Sequence, residues 1–240
     1  MTFIFCSCAE AKTEAPSTSP KAGIADVATY LEKFKYELVQ EWPNNRTLNI
    51  VFHGHSVPTG YGATPFVNTL GAYPHQVLAG IKENYTSAVV NVITTSIGGE
   101  QAEQGQLRFE KEVLPHRPDV LFIDYALNDR AIGVSRAEVA WRKMIQSALA
   151  NKVKVILMTP TPDLTESILD SAAPLQEYAD MIRKLAREYH VGLVDSYKAF
   201  LDIAKSGEKL ETYMAQTNHP NTRGHSVVAA EILKWFTSAK

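Results

Sequence analysis

Leu48-Asn49-Ile50-Val51-Phe52-His53-Gly54-His55-Ser56-Val57-Pro58 is a short apolar run that stops at a glycine, a serine and a proline. Five consecutive positions with four large apolar side chains read as a strand covered on both faces. Gly54 to Pro58 then forces a turn. The same alternation repeats outward. Residues 89–94, 120–125, 153–158 and 191–194 have strand composition. Between them lie helical patterns at 74–85, with Pro74 in the first turn, at 135–150, opened by a capping box of Ser135 and Glu138, and at 173–190. One amphipathic helix precedes the first strand, over 23–42, carried by Ile24, Val27, Leu31, Phe34, Leu38 and Val39; another follows the last, over 221–237. Strands that alternate with helices predict βαβ units and a parallel sheet. The expected fold is α/β: three α/β/α layers around a five-stranded, mainly parallel sheet, flavodoxin-like and doubly wound.

Bulk properties agree with one domain of this kind. The chain has 240 residues, 45% hydrophobic and 21% charged, with a net charge of −2. That balance offers no general attraction for nucleic acid. No apolar run approaches the roughly 18–20 residues that span a bilayer. Both cysteines, Cys6 and Cys8, lie near the N-terminus, so the rest of the chain has no thiol for a disulfide, metal or catalysis. Residues 9–21 are rich in Ala, Ser, Thr, Pro and charge and read as a tether. The division expected is therefore 1–21, a signal or tether segment, and 22–240, one domain. Phe5-Cys6-Ser7-Cys8 resembles the end of a bacterial lipoprotein signal, with Cys8 as the lipidated residue, although no basic segment precedes it. This implies attachment to a bacterial cell envelope, on the periplasmic or extracellular side, with a cytoplasmic tail as the alternative.

In doubly wound sheets, ligands bind beyond the carboxyl ends of the strands. Ser56 sits there after the first strand; turn serines are common, and no Gly-x-Ser-x-Gly elbow is present. After the second comes Ser96-Ile97-Gly98-Gly99-Glu100, whose paired glycines suit either backbone N–H groups aimed at an oxyanion or a plain turn. After the third comes Ala126-Leu127-Asn128-Asp129, where an Asn amide can donate to an oxyanion or cap the next segment. Asn218-His219-Pro220-Asn221-Thr222-Arg223-Gly224-His225 precedes the last helix. A histidine there suits a general base near neutrality, or a surface or capping role. His219 and His225 lack a third ligand at a metal-binding spacing, so no metal is expected.

These four blocks together resemble the SGNH (GDSL-type) hydrolase family. Gly54-His55-Ser56 stands for Gly-Asp-Ser, Ser96 to Gln101 for the second block, Ala126 to Asp129 for Gly-x-Asn-Asp, and Gln216 to His225 for Asp-x-x-His-Pro-Asn with Gly-His. The resemblance implies the SGNH hydrolase fold and a serine esterase without cofactor or metal. Ser56 would be nucleophile and His219 its base. The oxyanion would be held by the N–H of Ser56, the N–H of Gly99 and the amide of Asn128. Three positions depart from the pattern: His55 for the first-block aspartate, Ala126 for a glycine, and Gln216 for the triad aspartate. The expectation is a Ser56–His219 dyad, with Gln216 as an auxiliary at most, its carbonyl or else a backbone carbonyl turned toward the ring. The substrate implied is a carbohydrate ester, with O-acetyl groups removed. A lysophospholipase or small-ester esterase is the alternative, as is a non-catalytic binding module. The loop 57–73, with Tyr61, Phe66, Val67 and Leu70, could line a groove or a sugar platform.

Overall fold

The computed structural model describes residues 23–237. Cys6, Cys8 and the expected tether lie outside them. Five strands form one sheet: β1 (Thr47–Gly54), β2 (Val89–Thr94), β3 (Val120–Asp124), β4 (Lys154–Met158) and β5 (Gly192–Val194). Their order is β2-β1-β3-β4-β5, with all four pairings parallel. This is the doubly wound order expected, with the topological switch beside β1. The helices are α1 (Glu32–Leu38), α2 (Ser56–Thr59), α3 (Tyr73–Asn84), α4 (Ala102–Glu112), α5 (Ala126–Asp129), α6 (Val134–Ala150), α7 (Pro174–Tyr189), α8 (Ser196–Lys205) and α9 (Thr222–Leu233). A two-stranded antiparallel hairpin, β6 (Met214–Gln216) and β7 (His219–Pro220), stands apart from the sheet.

Because successive strand residues face opposite ways, each strand feeds two cores. Ile50, Phe52, Phe122 and Ile156 pack with α1, α3, α8 and α9. Val51, Leu121, Ile123, Val155 and Leu157 pack with α4, α6 and α7. Phe52 stacks on Phe122 with centroids 4.6 Å apart, next to the point where β1 ends.

Two local expectations are corrected, and two features went unannounced in the sequence. The first helix is shorter than 23–42, because Asp26 Oδ1 accepts the N–H groups of Ala28 and Thr29 and turns the chain there. Ile24, Val27 and Val39 are exposed, whereas Leu31, Phe34 and Leu38 are buried. No capping box forms at Ser135. α6 begins one residue earlier, after Gly133 at φ 81°, and Glu138 pairs with Arg142 and Lys184 instead. A capping box does form at α4, where Gln101 and Gln104 cap each other. Finally, α4 and α8 are full helices that the apolar pattern did not announce.

Candidate active site

The chain must turn sharply at the end of β1, and Gly54 allows it. A Cβ at that position would lie 2.3 Å from the Asp124 carbonyl oxygen, so only glycine lets β1 and β3 approach there. Asp124 O accepts the His55 N–H at 3.2 Å, which binds the turn to β3. Ser56 opens the short helix α2 and is only 6% exposed.

His219 arrives on β7, which β6 holds in place. Its Nε2 lies 2.7 Å from Ser56 Oγ. Asn221 then caps α9 by accepting the Gly224 N–H at 3.0 Å, which fixes the entry into that helix. Tyr61 stacks on the His219 ring with centroids 6.0 Å apart. Burial, and then the neighbouring His55, lower the His219 pKa from its ordinary value.

Gln216 lies on β6 and contacts His219 Nδ1, but with its amide nitrogen, not its carbonyl. The reason is Thr64. Its backbone N–H can only donate, and it donates to Gln216 Oε1 at 3.2 Å, with the Thr64 hydroxyl at 3.3 Å. The oxygen is thereby committed, and the NH2 faces the ring. Nδ1 must then accept, and the proton of the neutral ring sits on Nε2. The expected carbonyl-to-ring contact is not the one formed.

The glycine loop is tied to the same strand end. Gly54 O accepts the Ile97 N–H at 3.1 Å, and Phe52 O accepts the Thr95 N–H at 2.9 Å. Gly99 adopts φ 78°, a left-handed conformation that favours glycine. Asn128 opens α5 with its neighbours and donates one amide hydrogen to Glu100 O at 3.0 Å. It thus braces the loop that carries Gly99, and its second amide hydrogen has no hydrogen-bond partner among the described residues. Beneath the loop, Glu100 binds Arg108 Nε at 2.8 Å and the Tyr125 hydroxyl at 2.7 Å. Tyr125 in turn meets His53 Nε2 at 3.1 Å. Burial pushes His53 down to about 3 and leaves it neutral. This network was missed in the sequence, because Glu100, Arg108, Tyr125 and His53 come from four separate segments.

His55 departs from the aspartate of the family pattern yet does an aspartate's work at one atom. Its Nδ1 accepts the Val57 N–H at 3.2 Å and so caps α2. Its other nitrogen, Nε2, faces Asp124 Oδ1 at 3.4 Å. Asp124 also accepts the Tyr73 hydroxyl at 2.9 Å. Two more buried groups flank it. Asp129, pushed up to about 6 by burial, accepts the N–H groups of Ala102 and Trp141, each at 2.7 Å. His225, pushed down to about 4 by burial, accepts the Tyr73 N–H at 3.3 Å.

The mouth of the site is open. Tyr61, Phe66, Val67 and Leu70 stand on its loop, with Phe66 74% and Leu70 79% exposed. A cavity of about 200 Å³ lies between this loop and the segment from Ala215 to His225. That is below the roughly 300–1,000 Å³ of pockets that engulf a drug-sized ligand.

Residues 52–227 match the GDSL-like Lipase/Acylhydrolase family. The chain is 26% identical over 172 residues to the lipoprotein YqeF of Bacillus subtilis (strain 168), covering 58% of this chain and 70% of that protein. It is 21% identical over 193 residues to an acetylxylan esterase of Geobacillus stearothermophilus, covering 75% of this chain and 87% of that one. Among solved structures, a two-domain esterase (CEX) active on acetylated mannans superposes with a TM-score of 0.71 at 20% identity. The match covers 90% of this chain but 54% of that one, so this chain spans about half of its length. Axe2, the acetylxylan esterase from Geobacillus stearothermophilus, superposes with a TM-score of 0.66 at 20% identity, over 82% of this chain and 95% of that one. At such identities the superpositions establish a shared fold.

Proposed function

Since the chain belongs to the GDSL-like lipase/acylhydrolase family, we propose that it is a serine esterase that removes O-acetyl groups from carbohydrate. The observation that carries the reading is the 2.7 Å contact of Ser56 Oγ with His219 Nε2 beyond the carboxyl ends of the sheet. In the base-competent tautomer His219 takes the Ser56 proton, and Oγ attacks the ester carbonyl. The Ser56 and Gly99 N–H groups and the free Asn128 amide hydrogen hold the oxyanion. The bond between the former carbonyl carbon and the alcohol oxygen then breaks, and the alcohol leaves with the proton from His219. Water next hydrolyses the acyl-enzyme by the same exchange.

Carbohydrate is favoured by the open mouth with its exposed rings at Tyr61 and Phe66, and by the relatives that act on acetylated xylan and mannan. Residues 1–21 serve in this reading as a tether, and Cys8 as the lipid anchor of an envelope protein, a role supported by the lipoprotein relative.

One observation favours a second reading, a binding module on the same fold: the amide nitrogen of Gln216 faces the ring. A fluorophosphonate probe separates the two, since only an activated serine is labelled. Labelling of the parent protein, its loss in Ser56→Ala, and acetate release from acetylated xylan or mannan oligosaccharides support the esterase. An unlabelled parent overturns it. For the anchor, cell fractionation is expected to find the protein in membranes and Cys8→Ala in the soluble fraction. Soluble protein in both refutes the anchor.

A further inference from the structure

The expected triad acid is replaced by an amide at Gln216, yet a carboxylate does lie at the site, on the opposite side of Ser56. We propose that Asp124, acting through His55, is the positioning pair of this site and supplies the negative charge that Gln216 withholds. This rests on the esterase reading above.

The geometry fixes the direction of every proton along the line. Val57 N–H can only donate, so His55 Nδ1 is an acceptor and the ring proton sits on Nε2. Nε2 itself lies 3.4 Å from Asp124 Oδ1, a charge contact without the geometry of a formed hydrogen bond. On the other side of the ring, Nδ1 lies 3.5 Å from Ser56 Oγ. At rest His219 carries its proton on Nε2 and points it at Oγ, which leaves the hydroxyl proton to turn to the His55 side, where Nδ1 already accepts from Val57 N–H. The hydroxyl is thereby aligned between two rings. When His219 instead acts as base and becomes an imidazolium, Gln216 offers it no charge. The Asp124 carboxylate then lies behind His55, on the far side of Oγ, where burial keeps water from screening it and where it opposes the lowering that His55 alone imposes on His219. The groups facing Asp124 are Tyr73, His55, Asp129 and His225. None is a lysine or arginine, so no cation in that set neutralises it.

The same reasoning explains the departure at residue 55. An aspartate there would also cap α2, but beside Asp124 it would set two carboxylates together in a buried place. Histidine accepts the same Val57 N–H and sets no second carboxylate beside Asp124.

The test is a double-mutant cycle on turnover of an activated acetyl ester. Asp124→Asn keeps the shape and an acceptor for Tyr73 but removes the charge. It is expected to lower kcat about tenfold or more with KM little changed. In the Gln216→Glu background, where a carboxylate stands at Nδ1, the same substitution is expected to cost less than about threefold. Equal losses in both backgrounds would make Asp124 merely structural and overturn the proposal, as would no loss in either. Should Asp124→Asn fail to fold by circular dichroism, His55→Asn, which keeps an acceptor for Val57 N–H, carries the same comparison. A parent protein that hydrolyses no ester refutes the esterase reading and this proposal with it, whereas an active parent with additive losses refutes only the proposal.

Discussion

Gln216→Glu is expected to make a faster enzyme. The variant is isosteric, and one carboxylate oxygen continues to accept from Thr64 N–H, now at 3.2 Å from Oε1. The other oxygen takes the place of the NH2 and accepts from His219 Nδ1. That moves the ring proton from Nε2 to Nδ1 and leaves Nε2 free to accept from Ser56. In a Ser-His-Asp triad, exchanging the acid for its amide costs about 10⁴ in turnover, or about 5.5 kcal/mol. Here the gain is smaller. A charge about 3 Å from an imidazolium is worth about 5.5 kcal/mol at an effective dielectric of 20 and about 1.4 kcal/mol in water. Gln216 and His219 are both half-buried, which places the effect near 3 kcal/mol and the rise in kcat near a hundredfold. KM should change little, because the charge it stabilises forms only in the transition state. The acid limb should also move. His219 now titrates below its ordinary value, and an adjacent carboxylate raises it. The base works only when neutral, so activity in the variant should fail at higher pH on acidification. The assay is kcat and kcat/KM on an activated acetyl ester from pH 5 to 9. Unchanged or reduced kcat at pH 8 would show that Gln216 does not set the tautomer.

Asn128→Ala should lower kcat by about 10²–10³, the usual cost of one oxyanion donor, and a rise in KM without loss of kcat would assign Asn128 to ground-state binding instead. Gly54→Ala forces a methyl onto the Asp124 carbonyl and should cost on the order of 1–3 kcal/mol in urea unfolding, with activity lost alongside; unchanged stability would contradict the close approach of β1 and β3. Stability should fall between pH 7 and pH 5. His53 and His225 have folded values lowered to about 3 and about 4, so their contribution is complete above pH 6.5 and is lost as pH falls through those values. At pH 5 that is about 2 kcal/mol each. Asp129, raised to about 6, works oppositely, its contribution being present below its unfolded value and lost as pH rises through 6, and it offsets about 1.4 kcal/mol. A net loss of about 2–3 kcal/mol should appear in denaturation midpoints, and equal stability at both pH values would refute the neutral burial of the two histidines.

Strand positions were legible because buried parallel strands are continuous apolar runs, and the run at 48–52 is interrupted only by Asn49. α4 was not, because Glu103, Gln104, Gln106, Arg108, Glu110 and Lys111 leave few apolar positions for a periodic stripe to show. The box at Ser135 and Glu138 had the right spacing, but Gly133 supplied the turn earlier, and Glu138 found stronger partners in Arg142 and Lys184. Ser56 and His219 were legible as residues in sequence blocks, and the fold brings them into contact. The direction of Gln216 was not legible. It is decided by Thr64, which lies 152 residues away and meets it only in the folded chain. Asp124 was hidden for a similar reason: as the last residue of an apolar strand it reads as the edge of a core, and only the register of β1 on β3 sets it beside His55.

Ser56 and His219 are 163 residues apart in the chain, and the hairpin that carries His219 follows all five strands of the sheet. Synthesis at about 5–20 residues per second therefore separates the two by roughly 8–30 s on the ribosome. Throughout that interval the serine has been made while the residue that would activate it has not. If Ser56 and His219 act as proposed, a nascent chain is chemically silent toward esters however early its sheet assembles, and reactivity begins only when β6, β7 and α9 close over the strand ends.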